Sequence, residues 1–158
     1  MQNGSVLSIN IAPAAEAATL SIDNVRAVPG RGLEGDRYYL STGTSPDGNH
    51  APEKEVTLVE AEQVEAFNRE YDTMFRPEET RRNIVTRGVS LNDLVGREFR
   101  VGEARLRGIE LCEPCSYLAK ITDQRVLEGL LHKAGLRAQV VEEGVIRVGD
   151  GVIAIDDV

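Results

Sequence analysis

The chain reads as a mainly β protein, a β-barrel with a few short helices. Three observations lead there. Short apolar runs rich in β-branched residues recur along the sequence, separated by turns bearing Gly, Asp and Pro. Only two segments place apolar residues at helical spacing. Strands and helices do not alternate, so a parallel, doubly wound sheet is not expected and a barrel with helical excursions is.

Taken in order, Val6, Leu7, Ile9 and Ile11 make a first strand. Leu20 and Ile22, then Val25, Ala27 and Val28, make the next. Residues 30–37 hold three glycines within six positions, Gly30, Gly32 and Gly35, and predict a shaped turn with close backbone approach. Residues 41–54 are rich in Gly, Ser, Thr, Pro, Asp and Asn and predict a loop; residues 41–52 are expected to form a flexible lid near the site. Val56 to Val59 is a strand that runs into an amphipathic helix with Ala61, Val64 and Phe67 on one face. Ile84 to Thr86 is a short strand. Residues 90–96 suit a single helical turn, with Ser90 able to cap it and Gly96 able to end it. Phe99, Val101, Leu106 and Ile109 fall in two strands either side of Gly102 and Glu103. Residues 123–134 predict a second helix with Val126, Leu127, Leu130 and Leu131 on its apolar face, stopped by Gly135. Three closing strands follow over residues 136–141, 145–148 and 152–155.

At 158 residues the chain is expected to be one domain, 1–158, with a core large enough to need no staples. No apolar stretch approaches the roughly 20 residues that span a bilayer, and no basic start precedes an apolar run, so neither a membrane span nor a secretory signal is expected. A cytoplasmic location follows, in which a Cys-x-x-Cys is more often reactive or metal-binding than structural. The net charge of −8 argues against a nucleic-acid binder. The charge is uneven, however. From Arg81 to Arg107 seven arginines stand against three acids, a local net of +4 just ahead of the cysteines. Arg81, Arg82 and Asn83 open this stretch and are expected to cradle a small anion, for which forked guanidinium donors are suited. A regular strand there would put Arg81 and Asn83 on one face and Arg82 on the other. The turn at Gly35, Asp36 and Arg37 is expected to border the same pocket.

Chemistry concentrates at Leu111-Cys112-Glu113-Pro114-Cys115, which holds the only two cysteines; His50 and His132 are the only histidines. Four readings of the pair stand open. The cysteines can be small buried apolar residues. They can belong to a zinc site, although a second ligand pair is missing. They can be a thioredoxin-like dithiol, although that motif opens a helix and here the expected helix comes later in a β-rich setting. Or one is a reactive or metal-ligating thiolate, held in one orientation by Pro114 and favoured by nearby arginines.

Segments 30–37, 55–62, 81–89, 91–96, 99–102, 111–115 and 135–138, in that order, are similar to those of MOSC domains, the module at the C-terminus of molybdenum-cofactor sulfurases. The resemblance implies a β-barrel that binds molybdenum cofactor (Mo-molybdopterin) or carries activated sulfur, with Cys115 as the characteristic cysteine and the molybdenum ligand. In amidoxime-reducing relatives an Arg-x-Asn segment helps to hold the pterin phosphate; Arg81, Arg82 and Asn83 match it, and the family match favours Arg82 with Asn83, which requires a bend at the start of that strand. The resemblance further implies a stand-alone domain lacking the partner barrel of those relatives and any pyridoxal-phosphate desulfurase domain. One reading is a cofactor-binding protein that reduces small N-hydroxylated substrates or hands the cofactor on. Another is a persulfide carrier on Cys115, with a cysteine desulfurase or a molybdoenzyme as partner. A dithiol oxidoreductase using Cys112 and Cys115 is the third.

Overall fold

The computed structural model describes residues 3–41 and 51–155. Its strands are β1 (Asn3–Ile11), β2 (Leu20–Ile22), β3 (Asn24–Val28), β4 (Gly32–Leu33), β5 (Val56–Glu60), β6 (Ile84–Arg87), β7 (Glu98–Val101), β8 (Ala104–Leu111), β9 (Leu136–Glu142), β10 (Gly144–Arg147) and β11 (Gly151–Ala154). The α-helices are α1 (Arg37–Ser41), α2 (Ala61–Tyr71), α3 (Ser116–Ile121) and α4 (Val126–Gly129). Short 3-10 turns lie at Pro52–Lys54, Pro77–Thr80 and Leu91–Leu94.

Seven strands close into a barrel in the order β1, β6, β5, β9, β8, β7, β11, with β11 pairing back onto β1. Closure removes the exposed sheet edges that would otherwise invite association. Strand β2 extends the far end of β1, and β10, β3 and β4 form a small flanking sheet. The mainly β expectation and the barrel therefore hold. Ile9, Ile84, Leu58 and Leu136 are register neighbours across β1, β6, β5 and β9 and are fully buried, with Phe99, Leu106 and Val152 opposite them in the same core.

Two expectations about helices are corrected. Strand β5 pairs with β6 in parallel, so β5, α2 and β6 make one βαβ crossover within an otherwise antiparallel barrel. The helix expected over residues 123–134 shrinks to α4: Val126 and Leu130 are buried, but Leu127 and Leu131 are exposed, and His132 adopts φ 64°, a left-handed backbone no helix continues through. In its place the chain builds α3, directly after Cys115. Phe67 of α2, Leu118 and Ala119 of α3, Val126 of α4 and Leu130 just after it form a second apolar cluster outside the barrel. That cluster seats α3 and so fixes where the cysteine loop ends.

Candidate active site: a thiol over a cationic cleft

In a β-strand, neighbouring residues face opposite sides. Beside the buried row of Ile9, Ile84, Leu58 and Leu136 runs a polar row on the other face: Asn10, Asn83, Thr57 and Arg137. These residues line a cleft of about 1330 Å3, walled by the 12–19 loop, α1 and α3. Asn83 knits its floor. Its Oδ1 accepts the Thr57 amide at 3.0 Å and the Thr57 hydroxyl at 3.1 Å, and its Nδ2 donates to the Asn10 carbonyl at 3.0 Å.

The cysteine loop crosses one end of the cleft, from the end of β8 to the start of α3. Three contacts fix it. The Cys112 amide donates to the Gly135 carbonyl at 2.8 Å. Glu113 accepts the His132 amide through Oε1 at 2.7 Å and meets His132 Nδ1 through Oε2 at 2.5 Å. Arg82, 8% exposed, donates from Nη2 to the carbonyls of Cys112 and Glu113, both at 3.3 Å, from Nε to Ala134 at 2.9 Å and from Nη1 to Thr80 at 3.3 Å. No carboxylate pairs with it among the described residues. Gly135 lies where only glycine fits: φ is 130°, and a Cβ there would sit 2.2 Å from the Leu58 carbonyl oxygen.

Within this frame the two thiols differ. Cys112 is buried and Cys115 is exposed; both are free, and both line the cleft. The expectation that the helix comes well after the motif is corrected, since α3 begins at Ser116. The surroundings remain those of an antiparallel barrel, and only Cys115 is open to solvent.

The seven arginines from Arg81 to Arg107 do not form one cradle. Arg87 pairs with Glu65 at 2.6 Å, Arg105 with Glu98 and Glu142, Arg100 with Glu142 and Arg107 with Glu98. These are surface pairs of the barrel exterior. Only Arg81 and Arg82 reach the cleft. The regular strand expected at residues 81–83 is replaced by a bend: Arg81 ends the Pro77–Thr80 turn with φ 64°, and β6 starts at Ile84. As a result Arg81, Arg82 and Asn83 all line the cleft. Arg81 donates to the Ala17 carbonyl at 2.5 Å and lies 5.8 Å from the Tyr117 ring, linking the 12–19 loop to α3.

From the glycine turn, Asp36 and Arg37 line the cleft, with Gly35 one residue behind them at φ 90°. Asp36 is buried and accepts the Ala12 amide through Oδ1 at 2.9 Å. Burial pushes its carboxyl above the usual range, although the Ala12 amide, the Arg37 charge and Asn83 oppose this. Lys54 and Arg137 also line the cleft and were not singled out from the sequence. Arg137 looks like an ordinary alternating strand residue until its register places it beside Thr57. The lid expected over residues 41–52, and His50 with it, falls mostly outside the described residues.

Fold and cleft thus define a small β-barrel presenting one open thiol above a group of cations. The MOSC domain model matches residues 46–153, more than half of the chain, and the chain belongs to the MOSC domain family. Its fold is similar to the YuaD protein of Bacillus subtilis, at 16% identity and TM-score 0.82, over 99% of this chain and 100% of that one. It is also similar to YiiM of Geobacillus stearothermophilus, at 17% identity and TM-score 0.73, over 97% and 75% of the two chains. YiiM of Escherichia coli matches at 18% identity and TM-score 0.71, over 100% and 71%. At such identities the likeness establishes the shared fold. No curated protein matches by sequence. No helix among the described residues is long and apolar enough to cross a membrane.

Proposed function

We propose that this chain binds a molybdenum cofactor through Cys115 and presents it to small N-hydroxylated substrates or to an acceptor molybdoenzyme. The observation that carries the reading is an exposed thiol on a cleft that gathers five cations, Arg37, Lys54, Arg81, Arg82 and Arg137, in a chain of net charge −8. Asp36 and Glu16 are the acids facing them.

The donor set suits this class of ligand. Among the described residues no group of three or more His, Cys, Asp or Glu could hold a metal alone. A single thiolate fits a metal that arrives with its remaining ligands on an organic anion. A cleft of about 1330 Å3 accommodates a pterin-sized molecule. When bound, the cofactor supplies two-electron reduction and a site for oxygen removal. The protein's own residues would do the following. Cys115 ligates the metal. Arg81 contacts the phosphate, since it is engaged by only one carbonyl, and Arg37 adds a further cation to the same cleft. Arg82 and Asn83 act beneath, because their polar atoms already hold the cysteine loop and the floor. Asp36 anchors the 12–19 wall.

The same open thiol would also suit a persulfide carrier fed by a cysteine desulfurase. Elemental and intact-mass analysis of protein expressed with molybdate separates the two. Cofactor binding predicts molybdenum and pterin near one per chain, lost in Cys115→Ser. Sulfur carriage predicts an added sulfur mass on Cys115 without metal. Finding neither turns the reading toward a Cys112/Cys115 dithiol.

A further inference from the structure

We propose that Arg81 is a clamp: an oxyanion bound to its guanidinium fixes the 13–19 wall of the cleft, so that a ligand tightens its own cleft. The clamp rests on the cofactor reading above, in which Arg81 meets the phosphate, and it regulates that same cleft.

The wall is the loop of a hairpin. Ile11 pairs with Leu20 where β1 turns back as β2, and residues 12–19 span the gap. Its root is firm. Ala12 is buried, its amide donates to Asp36 Oδ1 at 2.9 Å, and its carbonyl accepts the Arg37 amide at 2.7 Å. Beyond Ala12 the attachment thins. No residue from Pro13 to Thr19 is buried, and the one bond inside the segment is a local turn, from the Ala17 amide to the Ala14 carbonyl at 3.2 Å. Among the described residues a single hydrogen bond ties 13–19 to the rest of the chain, from Arg81 Nη1 to the Ala17 carbonyl at 2.5 Å. A segment with so few bonds and so little buried surface opens locally with little free energy. The only tether of this wall is thus a cation that itself lines the cleft.

Arg81 can serve wall and ligand together. The backbone is bent on both sides of the tether: Arg81 has φ 64°, and Glu16, just before Ala17, has φ 63°. Residues with a Cβ adopt this left-handed conformation only at a cost, so the surrounding structure imposes it. The Tyr117 ring lies 5.8 Å from the guanidinium carbon, and Nη1 is taken by Ala17. The Nε and Nη2 edge has no protein partner among the described residues. That edge is a fork able to hold an oxyanion through two parallel bonds without displacing Ala17. An anion there fixes the side chain's rotamer, so the bond to Ala17 forms without a further loss of side-chain freedom. The two partners then reinforce each other, and by linkage the wall strengthens anion binding by the factor the anion strengthens the wall.

The test uses the full chain, labelled with nitrogen-15, and inorganic phosphate as the probe at fixed ionic strength. Relaxation order parameters of the amides of residues 14–19 report the wall, and the Arg81 Nε resonance reports the anion. Without phosphate the wall is expected below about 0.6; saturating phosphate should raise it toward the roughly 0.85 of rigid backbone, with the same midpoint as the Arg81 shift. Arg81→Gln should keep the wall mobile at every phosphate concentration. A saturable Arg81 response with the wall unchanged or loosened overturns the clamp and leaves the cofactor reading standing. A wall already as ordered as the barrel strands before phosphate is added overturns it as well. Silence at both Arg81 and the wall removes the anion argument for clamp and cofactor alike. The parent titration decides even if Arg81→Gln fails to fold.

Discussion

Replacing Arg82 with methionine keeps most of the side chain's length and removes its charge and all its donors. Four carbonyls, those of Thr80, Cys112, Glu113 and Ala134, then lose their partner. Each buried acceptor left unmade costs about 1–3 kcal/mol. Burying the guanidinium was itself costly, and removing it returns part of that sum. Taking about 1 kcal/mol per carbonyl and allowing about 1 kcal/mol returned leaves a net loss of about 3 kcal/mol. With a urea m-value of about 2 kcal/mol/M for a domain of this size, the unfolding midpoint should fall by about 1.5 M. Urea unfolding followed by far-ultraviolet circular dichroism measures this. Amide exchange at Cys112, whose N–H bonds to Gly135, should quicken in the same variant. A midpoint within about 0.3 M of the parent would falsify the view that Arg82 ties the cysteine loop to the barrel.

Alkylation with iodoacetamide should label Cys115 first, because Cys112 is only 2% exposed; Cys115→Ser should abolish the fast phase, and its survival there with loss in Cys112→Ser would reverse the assignment. Gly135→Ala forces a Cβ to 2.2 Å from the Leu58 carbonyl and strains a φ of 130°, so a loss of about 3 kcal/mol and a melting temperature lower by roughly 6–12 °C are expected; an unchanged melting temperature would refute the close approach. Asp36 titrates above its ordinary value of 3.8 through burial, so the folded state holds the proton more tightly than the unfolded state does. Its contribution to stability is then complete below pH 3.8 and is lost as pH rises through the folded value. Asp36→Asn should therefore be at least as stable as the parent at pH 7, with any gain relative to the parent shrinking toward pH 3.5; the opposite trend in thermal melts would show that the Asp36 charge is favourable.

Much of the barrel was legible because its strands obey local rules. Val56 to Val59 and Ile84 to Thr86 are β-branched runs, and both are barrel strands. Ala61, Val64 and Phe67 lie at helical spacing and are the buried face of α2. Residues 123–134 misled because their apolar spacing serves two ends: Val126 and Leu130 pack on α2 and α3, while the left-handed backbone at His132 breaks the helix that the pattern implies. The parallel pairing of β5 with β6 is a long-range choice that no local signal carries. At the site, Cys115 was readable from its motif, and charge counting drew attention to Arg81 and Arg82. Counting could not separate those two from Arg87, Arg100, Arg105 and Arg107, because only the fold decides which arginines meet a carboxylate. Arg137 and Lys54 stayed hidden for the converse reason: both are unremarkable in sequence, and only the fold, which sets Arg137 beside Thr57, shows that they line the cleft.

The seam between β1 and β11 has a consequence for how the chain is made. Asn3 is paired with Ile153 and Gly4 with Val152, so the barrel cannot close until nearly every described residue is available. During synthesis β1 can gain β2 and later β6, but one of its edges stays open until β11 arrives. Contacts so distant in sequence make folding slow, and an unpaired strand edge is a template for association with other chains. Ribosome-bound chains halted before residue 151 should therefore be held short of the native state and aggregate more readily than chains released after it. The apolar cluster of α2, α3 and α4 is complete by Ala134, so the helices that seat the cysteine loop can assemble while the barrel is still open.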